Sequence, residues 1–247
     1  KKWQPSEALS HFLEQLIHDF KLSPTALNSY IECPQRFFYD NILRVPKTKN
    51  FTQSYGTAVH KALELLFKKY KRDFKLPSKK EFLKDFTEAL EEEIFTTEER
   101  KRAMENGKEI LTKYYDFYIE EWERKGAPLS CEYDFSKHDV FFNNIPITGK
   151  IDRIDLIDKI SSKVKIVDYK TSSPKSLNFI LGNTKDKDTK LMYQAYFYKM
   201  LSEADPLFQW KVKEIEFDFI SPDKDKFRRV ALPIDEKQYL EFKKTVE

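Results

Sequence analysis

Two neighbouring stretches of the 247-residue chain decide its fold: ITGKIDRIDLID at residues 147–158 and KVKIVDYKT at residues 163–171. Both are rich in β-branched residues, which favour strands. A tight turn at residues 159–161 would join them as an antiparallel pair. We therefore predict a β-hairpin over these two stretches.

The hairpin would bring acidic and basic side chains together. If Ile160 is the pivot of the turn, Asp152 lies opposite Asp168. Because side chains alternate between the two faces of a strand, Asp168 and Lys170 share one face with apolar neighbours. Two carboxylates and one lysine would then emerge from the apolar, helix-covered side of a sheet.

Such a pair of carboxylates is costly unless a cation accompanies it. Like charges on directly opposed strand positions repel, and a partly buried carboxylate loses hydration. Mg²⁺ or Mn²⁺ resolves both problems, because these cations prefer hard oxygen ligands. The alternative is an ordinary surface hairpin in which Asp152 and Lys170 form ion pairs, and the spacing alone does not decide between the two.

Hydrophobic periodicity predicts helices before the hairpin and a mixture of strands and helices around it. A helix start lies at Ser23-Pro24, with Ser23 as the N-cap, and a break is expected near Pro34. The predicted helices cover residues 7–20, 54–72, 78–95, 97–125, 189–202 and the segment from 235, and further strands cover 130–135, 140–142, 212–220 and 227–232. This order indicates an α/β or α+β layer structure.

The composition restricts the class of protein. Hydrophobic residues make up 40% of the chain and aromatic residues 15%, which excludes a disordered polymer. Lys and Arg (44) nearly cancel Asp and Glu (41), so the net charge of +3 neither indicates nor excludes a nucleic-acid partner. With two cysteines, no signal peptide and no apolar run near the ~20 residues that a bilayer requires, we predict a cytoplasmic protein without a membrane partner.

Three further motifs accompany the hairpin: Gly56-x-x-x-His60, Gly149-x-x-Asp152 and Gln194-x-x-x-Tyr198. Gly56 and His60 fall one turn apart on one face of a predicted helix, where the glycine allows a backbone or a phosphate to approach. Taken singly, His60 is a structural histidine more often than a ligand. Gln194 and Tyr198 would ordinarily be a polar helix edge and a packed aromatic.

In this order, and with Asp168-Tyr169-Lys170, the motifs resemble those of the RecB-like and Cas4-like nucleases of the PD-(D/E)XK superfamily. The segment at 23–27, with Cys33-Pro34-x-x-Phe37, is similar to the start of the AddB-type nuclease domain, which is usually fused to a helicase. The resemblance spans about residues 22–200. It implies a restriction-endonuclease-like α/β fold, with a mixed central sheet flanked by helices and an N-terminal helical region.

The resemblance also implies a metal site. Asp152 and Asp168 would be the carboxylate ligands of Mg²⁺ or Mn²⁺, with His60 as an imidazole ligand and the backbone carbonyl of Tyr169 completing the set. The metal would lower the pKa of bound water and neutralise phosphate oxygens.

Catalytic roles follow for the remaining motif residues. Lys170 would orient and activate the attacking water and stabilise the charge that develops at phosphorus. Gln194 and Tyr198 would hold the substrate strand or the active-site network. Glu132, on the strand before the hairpin, is either a further acid of the site or a plain strand-edge carboxylate.

The cysteines depart from the family pattern. Many AddB-type and Cas4-type members hold a [4Fe–4S] cluster, which needs four thiolates. This chain has only Cys33 and Cys131. We therefore expect no iron–sulfur cluster, and interpret Cys33 as a buried structural residue.

The resemblance divides the chain into a linker helix at 1–21 and a nuclease domain at 22–247, with a helical part at 22–128 and a sheet core at 129–247. The alternative is that the first helix packs on its own domain. Because the chain begins Lys-Lys-Trp without an initiator methionine, we expect it to be a piece of a longer protein.

The sequence therefore predicts a metal-dependent DNA nuclease that acts with a helicase, in cis or in trans, on single strands during repair or recombination. The alternative is a catalytically silent DNA-binding or scaffolding module of a helicase–nuclease complex. Two basic stretches could follow a phosphate backbone or be ordinary solvated faces; they comprise Lys68, Lys69, Lys71, Arg72 and Lys75, and Lys185, Lys187 and Lys190.

Overall fold

The computed structural model describes residues 7–186 and 188–247. The first six residues of the predicted linker helix, and Lys187 of the second basic stretch, lie outside the described residues. Within the described part, no helix combines the length and the apolar character needed to cross a membrane.

Helices dominate the first half of the chain, and strands with flanking helices form the second half. The helices are α1 (Glu7–His18), α2 (Pro24–Glu32), α3 (Pro34–Phe37), α4 (Phe51–Asp73), α5 (Lys79–Glu91), α6 (Thr97–Lys125), α7 (Leu177–Ile180), α8 (Lys190–Ala204) and α9 (Glu236–Val246). The strands are β1 (Ser130–Asp134), β2 (Val140–Phe142), β3 (Ile145–Ile147), β4 (Lys150–Asp158), β5 (Lys163–Lys170), β6 (Lys211–Asp223) and β7 (Lys226–Leu232). A π-helical turn (Phe38–Ile42) follows α3.

Side-chain caps fix where the helices begin. The Ser23 hydroxyl accepts a hydrogen bond from the backbone N–H of Ala26 at 3.1 Å, as the sequence predicts. Helix α4 begins at Phe51, three residues before the predicted start, because Asn50 and Gln53 form a reciprocal capping box. The box satisfies backbone donors that would otherwise stay open, so the helix gains most of an additional turn.

The sheet is mixed. Its five strands lie in the order β1-β4-β5-β6-β7, and β5 and β6 are parallel while the other neighbouring pairs are antiparallel. The parallel pair requires a crossover connection, and α7 and α8 lie within it. Strands β2 and β3 form a separate two-stranded hairpin.

Each face of the sheet is covered by its own helices and its own apolar core. Ile154, Ile166 and Phe217 pack with residues of α8 and α9 on one face. Val167 and Tyr169 pack with residues of α4, α5 and α6 on the other. The protein therefore has the α/β fold that the sequence predicts, with a mixed central sheet flanked by helices.

The predicted hairpin is present in its predicted register. Arg153 lies opposite Val167 and Ile154 opposite Ile166, which is the pairing that a pivot at Ile160 requires. The π-helical turn, the short helix α7 and the break at residues 148–149 that separates β3 from β4 were not predicted from the sequence.

Candidate active site

The two predicted acidic residues lie where β4 and β5 part. The last ladder pair in this direction joins Arg153 to Val167, and Asp152 is the next residue along β4. The carboxylate of Asp152, rather than a main-chain carbonyl, accepts the N–H of Tyr169 at 2.8 Å. The side chain of Asp152 therefore takes the place of one main-chain hydrogen bond between β4 and β5. This bond holds the Asp152 carboxylate close to the backbone next to Asp168.

The ladder between β1 and β4 is also interrupted at this point. It pairs Tyr133 with Ile151 and Cys131 with Arg153, and skips the residues between them. Ile151 and Ile154 both belong to the core on the α8 side, although strict alternation would place residues three apart on opposite faces. At this irregularity the side chain of Asp152 departs from the regular alternation and lies against His60 on α4.

Asp168 is the centre of a buried hydrogen-bond network. Its side chain is 4% exposed. One carboxylate oxygen, Oδ1, accepts hydrogen bonds from Gln194 Nε2 at 3.0 Å and from the Tyr198 hydroxyl at 2.7 Å. The other, Oδ2, lies 2.7 Å from the Lys170 ammonium. Lys170 also donates to Gln194 Oε1 at 2.8 Å, so the network closes into a ring of contacts.

Helix α8 supplies two members of this network, and both bond to Asp168 on β5. Gln194 and Tyr198 are one turn apart, and Gln194 Nε2 also donates to the Tyr198 hydroxyl at 2.7 Å. A Cβ atom at Gly149 would come within 2.7 Å of Leu201 Cδ1. The glycine of the Gly149-x-x-Asp152 motif therefore permits the approach of α8.

His60 approaches the site from the other side of the sheet edge. It lies on α4, and its Nδ1 is 3.2 Å from Asp152 Oδ1. Its ring packs edge-on against Tyr169, with the ring centroids 5.9 Å apart. The structure thus brings together the six residues that were predicted to act through their side chains; they are His60, Asp152, Asp168, Lys170, Gln194 and Tyr198. The main chain of Tyr169 lies between them.

The two carboxyl groups are electrostatically different. Burial raises the pKa of Asp168, and the charge of Asp152 acts in the same direction. Burial also acts to raise the pKa of Asp152, whose side chain is 12% exposed, but His60 and the Tyr169 N–H stabilise its charged form and hold its pKa below the usual value. Burial alone would lower the pKa of His60, yet the charge of Asp152 outweighs it and raises the pKa to about 9.

Two clefts open beside this network. A cleft of about 580 Å³ is lined by His60, Asp152 and Glu132. Glu132 has a φ of 55°, faces the interrupted part of the β1–β4 ladder and forms an ion pair with Lys150. Burial raises the pKa of Glu132. Its position fits both interpretations of this residue, as a further acid of the site and as a strand-edge carboxylate.

The second cleft, of about 840 Å³, ends at Lys170 and Gln194. Four more basic side chains line it, and each forms an ion pair: Arg36 and Lys190 with Glu32, Lys47 with Asp40, and Lys49 with Glu93. Among the described residues of the two predicted basic stretches, Lys190 alone lines this cleft, and no residue at 68–75 lines either cleft beside the network. The stretch at 68–75 therefore lies outside both clefts.

The residues present fit a hard divalent cation. Oδ2 of Asp168 is buried, and its contact with the Lys170 ammonium at 2.7 Å occupies one of its two lone pairs, which leaves one acceptor site for a cation. Two carboxylates and an imidazole are donors of the right chemistry. Among the described residues, no three His, Cys, Asp or Glu side chains converge as closely as a bound ion requires. The ligands would therefore have to close around the cation.

Cys33 is not the buried residue that we expected. It is half-buried, and its Sγ accepts the N–H of Arg36 at 3.4 Å as the N-cap of α3. The physical reason is its place between two helices, where a polar cap is needed at the surface. Cys131 is the other free thiol.

Sequence reasoning overlooked Arg153, which is 3% exposed and follows Asp152 directly. The signal was a charged residue within an apolar strand pattern. Arg153 points to the face opposite Asp152 and donates to the Tyr169 hydroxyl at 2.7 Å.

Comparison with known families agrees with this geometry. A model of the PD-(D/E)XK nuclease superfamily matches residues 21–246, which is nearly the whole chain. No curated protein shows a significant match. Nucleases of this superfamily generally depend on divalent metals such as Mg²⁺. On the extent of the match, the chain belongs to the PD-(D/E)XK nuclease superfamily.

Proposed function

We propose that this protein hydrolyses phosphodiester bonds in DNA with Mg²⁺ or Mn²⁺. The observation that carries the proposal is the buried carboxylate of Asp168, held by Gln194, Tyr198 and Lys170 at the end of a cleft. The ion pair with Lys170 leaves one lone pair of Oδ2 open, so a cation can bind there beside the lysine.

Asp152 and Asp168 would hold the metal, with His60 and the Tyr169 carbonyl as further ligands. When bound, a divalent cation would polarise the phosphate and lower the pKa of an attacking water. Gln194 and Tyr198 fix the orientation of Asp168 through Oδ1 and leave Oδ2 for the ligand. These two residues therefore act by positioning.

Lys170 is the electrophilic group of the proposed site. Its ammonium has three donors, of which one binds Gln194 and one lies against Asp168. The side chain is about one-fifth exposed at the mouth of the larger cleft. The remaining donor can orient the attacking water and stabilise the charge that develops on the phosphate oxygens.

Cleavage assays with matched variants test this assignment. Asp168→Ala and Lys170→Ala should abolish Mn²⁺-dependent cleavage of labelled DNA, His60→Ala should impair it strongly, and EDTA should stop the parent. Lys163→Ala, at the other end of β5, is the control and should cleave normally. Cleavage by Asp168→Ala at the parental rate would contradict the proposal, and an inactive parent that still binds DNA would favour a silent binding module.

We further propose that the substrate is a single strand delivered by a helicase, in cis or in trans, during repair or recombination. The cations of the larger cleft are matched by carboxylates, and the net charge is only +3. Both features favour weak binding of free DNA, because affinity for duplex depends on the phosphates that a protein neutralises. A helicase that delivers the strand would raise the local concentration of DNA at the site and so compensate for this weak binding.

A side-by-side time course in Mn²⁺ tests the substrate. The isolated protein should cleave a single-stranded oligonucleotide slowly and a blunt duplex hardly at all. Fusion to a helicase, with ATP, should restore the processing of duplex. Equal or faster cleavage of blunt duplex by the isolated protein would refute the single-strand proposal and leave the nuclease assignment intact.

A further inference from the structure

Behind the candidate site, on the other face of the sheet, lies a buried guanidinium. Arg153 is 3% exposed, although an arginine is rarely buried without a strong reason. It is adjacent in sequence to Asp152, and its side chain points away from the clefts. The cost of removing this charge from water demands several partners.

The partners of Arg153 lie on three elements. Its NH1 group donates to the Tyr169 hydroxyl on β5 at 2.7 Å, and its NH2 group donates to Asp155 at 3.1 Å. The guanidinium also lies 4.8 Å from the ring centroid of Phe67 on α4 and 5.4 Å from that of Tyr169. The planar fork of arginine fits these contacts in a way that a lysine ammonium cannot.

Tyr169 connects this guanidinium to the site. Its hydroxyl is held by Arg153, its ring packs edge-on against His60, and its backbone N–H binds Asp152 Oδ2. Its sequence neighbours are Asp168 and Lys170. A rotation of the Tyr169 ring or a shift of its backbone would therefore move several of the proposed site residues together.

We propose that Arg153 is a positioning residue, which fixes Tyr169 and thereby sets the geometry of the metal-binding carboxylates. The inference rests on the proposed function, since it concerns the same site. Partners that orient metal ligands from behind typically change metal affinity or activity by roughly 10- to 100-fold when they are removed. Arg153 and the Tyr169 hydroxyl should have effects in that range.

The variant Tyr169→Phe isolates the hydroxyl that Arg153 binds and keeps the ring against His60. Arg153→Met removes the guanidinium at similar length, and Arg153→Lys retains only the charge. Tyr114→Phe is the matched control, because it deletes another buried hydroxyl on the same face of the sheet, one that donates to Asp218 at 2.8 Å.

Two measurements are made on each variant: Mn²⁺ binding, from the metal-dependent rise in melting temperature, and kcat and KM for single-stranded DNA. Tyr169→Phe and Arg153→Met should each weaken Mn²⁺ binding or lower kcat about 10-fold or more, with KM nearly unchanged. The double variant should lose little more than either single one, because both act through one contact. Arg153→Lys should not recover the loss, and Tyr114→Phe should bind Mn²⁺ and cleave like the parent.

Parental Mn²⁺ binding and kcat in Tyr169→Phe would overturn the inference, even if Arg153→Met failed to fold. An equal loss in Tyr114→Phe would also overturn it, because the effect would then be one of general stability. Asp168→Ala separates the two proposals: if it still cleaves, the proposed function fails, whereas its inactivity beside a fully active Tyr169→Phe rejects only the role of Arg153.

Discussion

Two helical glycines should respond in opposite directions when each is replaced by alanine. In an open helix position this change stabilises by about 1 kcal/mol. At Gly56 on α4, the new Cβ would meet only the Thr171 hydroxyl, at the ordinary contact distance of 3.4 Å. Gly56→Ala should therefore stabilise the protein by up to about 1 kcal/mol.

At Gly107 on α6 the same change should destabilise. The new Cβ would lie 2.3 Å from Cζ of Phe86, a ring with no solvent exposure. The ring would have to move by more than 1 Å to restore an ordinary contact of about 3.4 Å or more. Overpacking of this kind costs about 1–3 kcal/mol, and more when the backbone must move.

Because the new Cβ would also lie 2.7 Å from Cε1 of Phe86 and 3.2 Å from Cε2 of Tyr55, we take the upper part of that range. The helix-propensity gain of about 1 kcal/mol then leaves a net loss of about 2 kcal/mol. For a domain of this size, 1 kcal/mol shifts Tm by about 2–4 °C. Gly107→Ala should then lower Tm by about 4–8 °C and Gly56→Ala should raise it by about 2–4 °C. Thermal unfolding followed by circular dichroism measures both, and a rise in Tm for Gly107→Ala would refute the reasoning.

Three further outcomes are expected. Tyr198→Phe removes the hydroxyl that donates to Asp168 and should lower the cleavage rate by roughly 10- to 100-fold. The control Tyr196→Phe removes another hydroxyl of α8, which donates to Gln238, and should cleave normally in the same assay. Burial raises the pKa of the Cys131 thiol to about 12, so little thiolate forms in mildly alkaline buffer. In a Cys33→Ala protein, Cys131 should therefore react slowly with a thiol reagent until the protein is denatured. Fast reaction before denaturation would contradict this. The purified protein should contain no stoichiometric iron or sulfide, because two cysteines cannot supply the four thiolates of a cluster, and elemental analysis would detect the opposite.

The sequence predicted the site most accurately where the geometry is local. A turn centred on Ile160 was enough to predict the register that brings Asp152 level with Asp168, although the orientation of Asp152 departs from strict alternation, and a one-turn spacing was enough to place Gln194 and Tyr198 on one face of α8. Both patterns depend only on backbone repeat distances, which hold whatever surrounds the element.

What escaped prediction depends on contacts between distant segments. At the break at residues 148–149, the backbone of Thr148 and Gly149 bonds to two distant residues, Leu22 and Phe135. The role of Arg153 depends on which helix covers the second face of the sheet, and nothing in a single strand pattern reveals that. The prediction that Cys33 is buried was wrong for the same reason, because the exposure of Cys33 depends on how α2 packs against α3.

The residues of the candidate site come from two parts of the chain that are far apart in sequence. Asp168 and Lys170 lie at the end of β5, and Gln194 and Tyr198 lie in the connection that follows it, whereas His60 belongs to a helix far upstream. Local opening of α4 to α6 would therefore withdraw the histidine and leave the carboxylate–lysine ring assembled. Such an opening would reversibly remove one proposed metal ligand, His60. Hydrogen exchange of the α4 amides would report the opening, and the α8 amides would exchange independently of it.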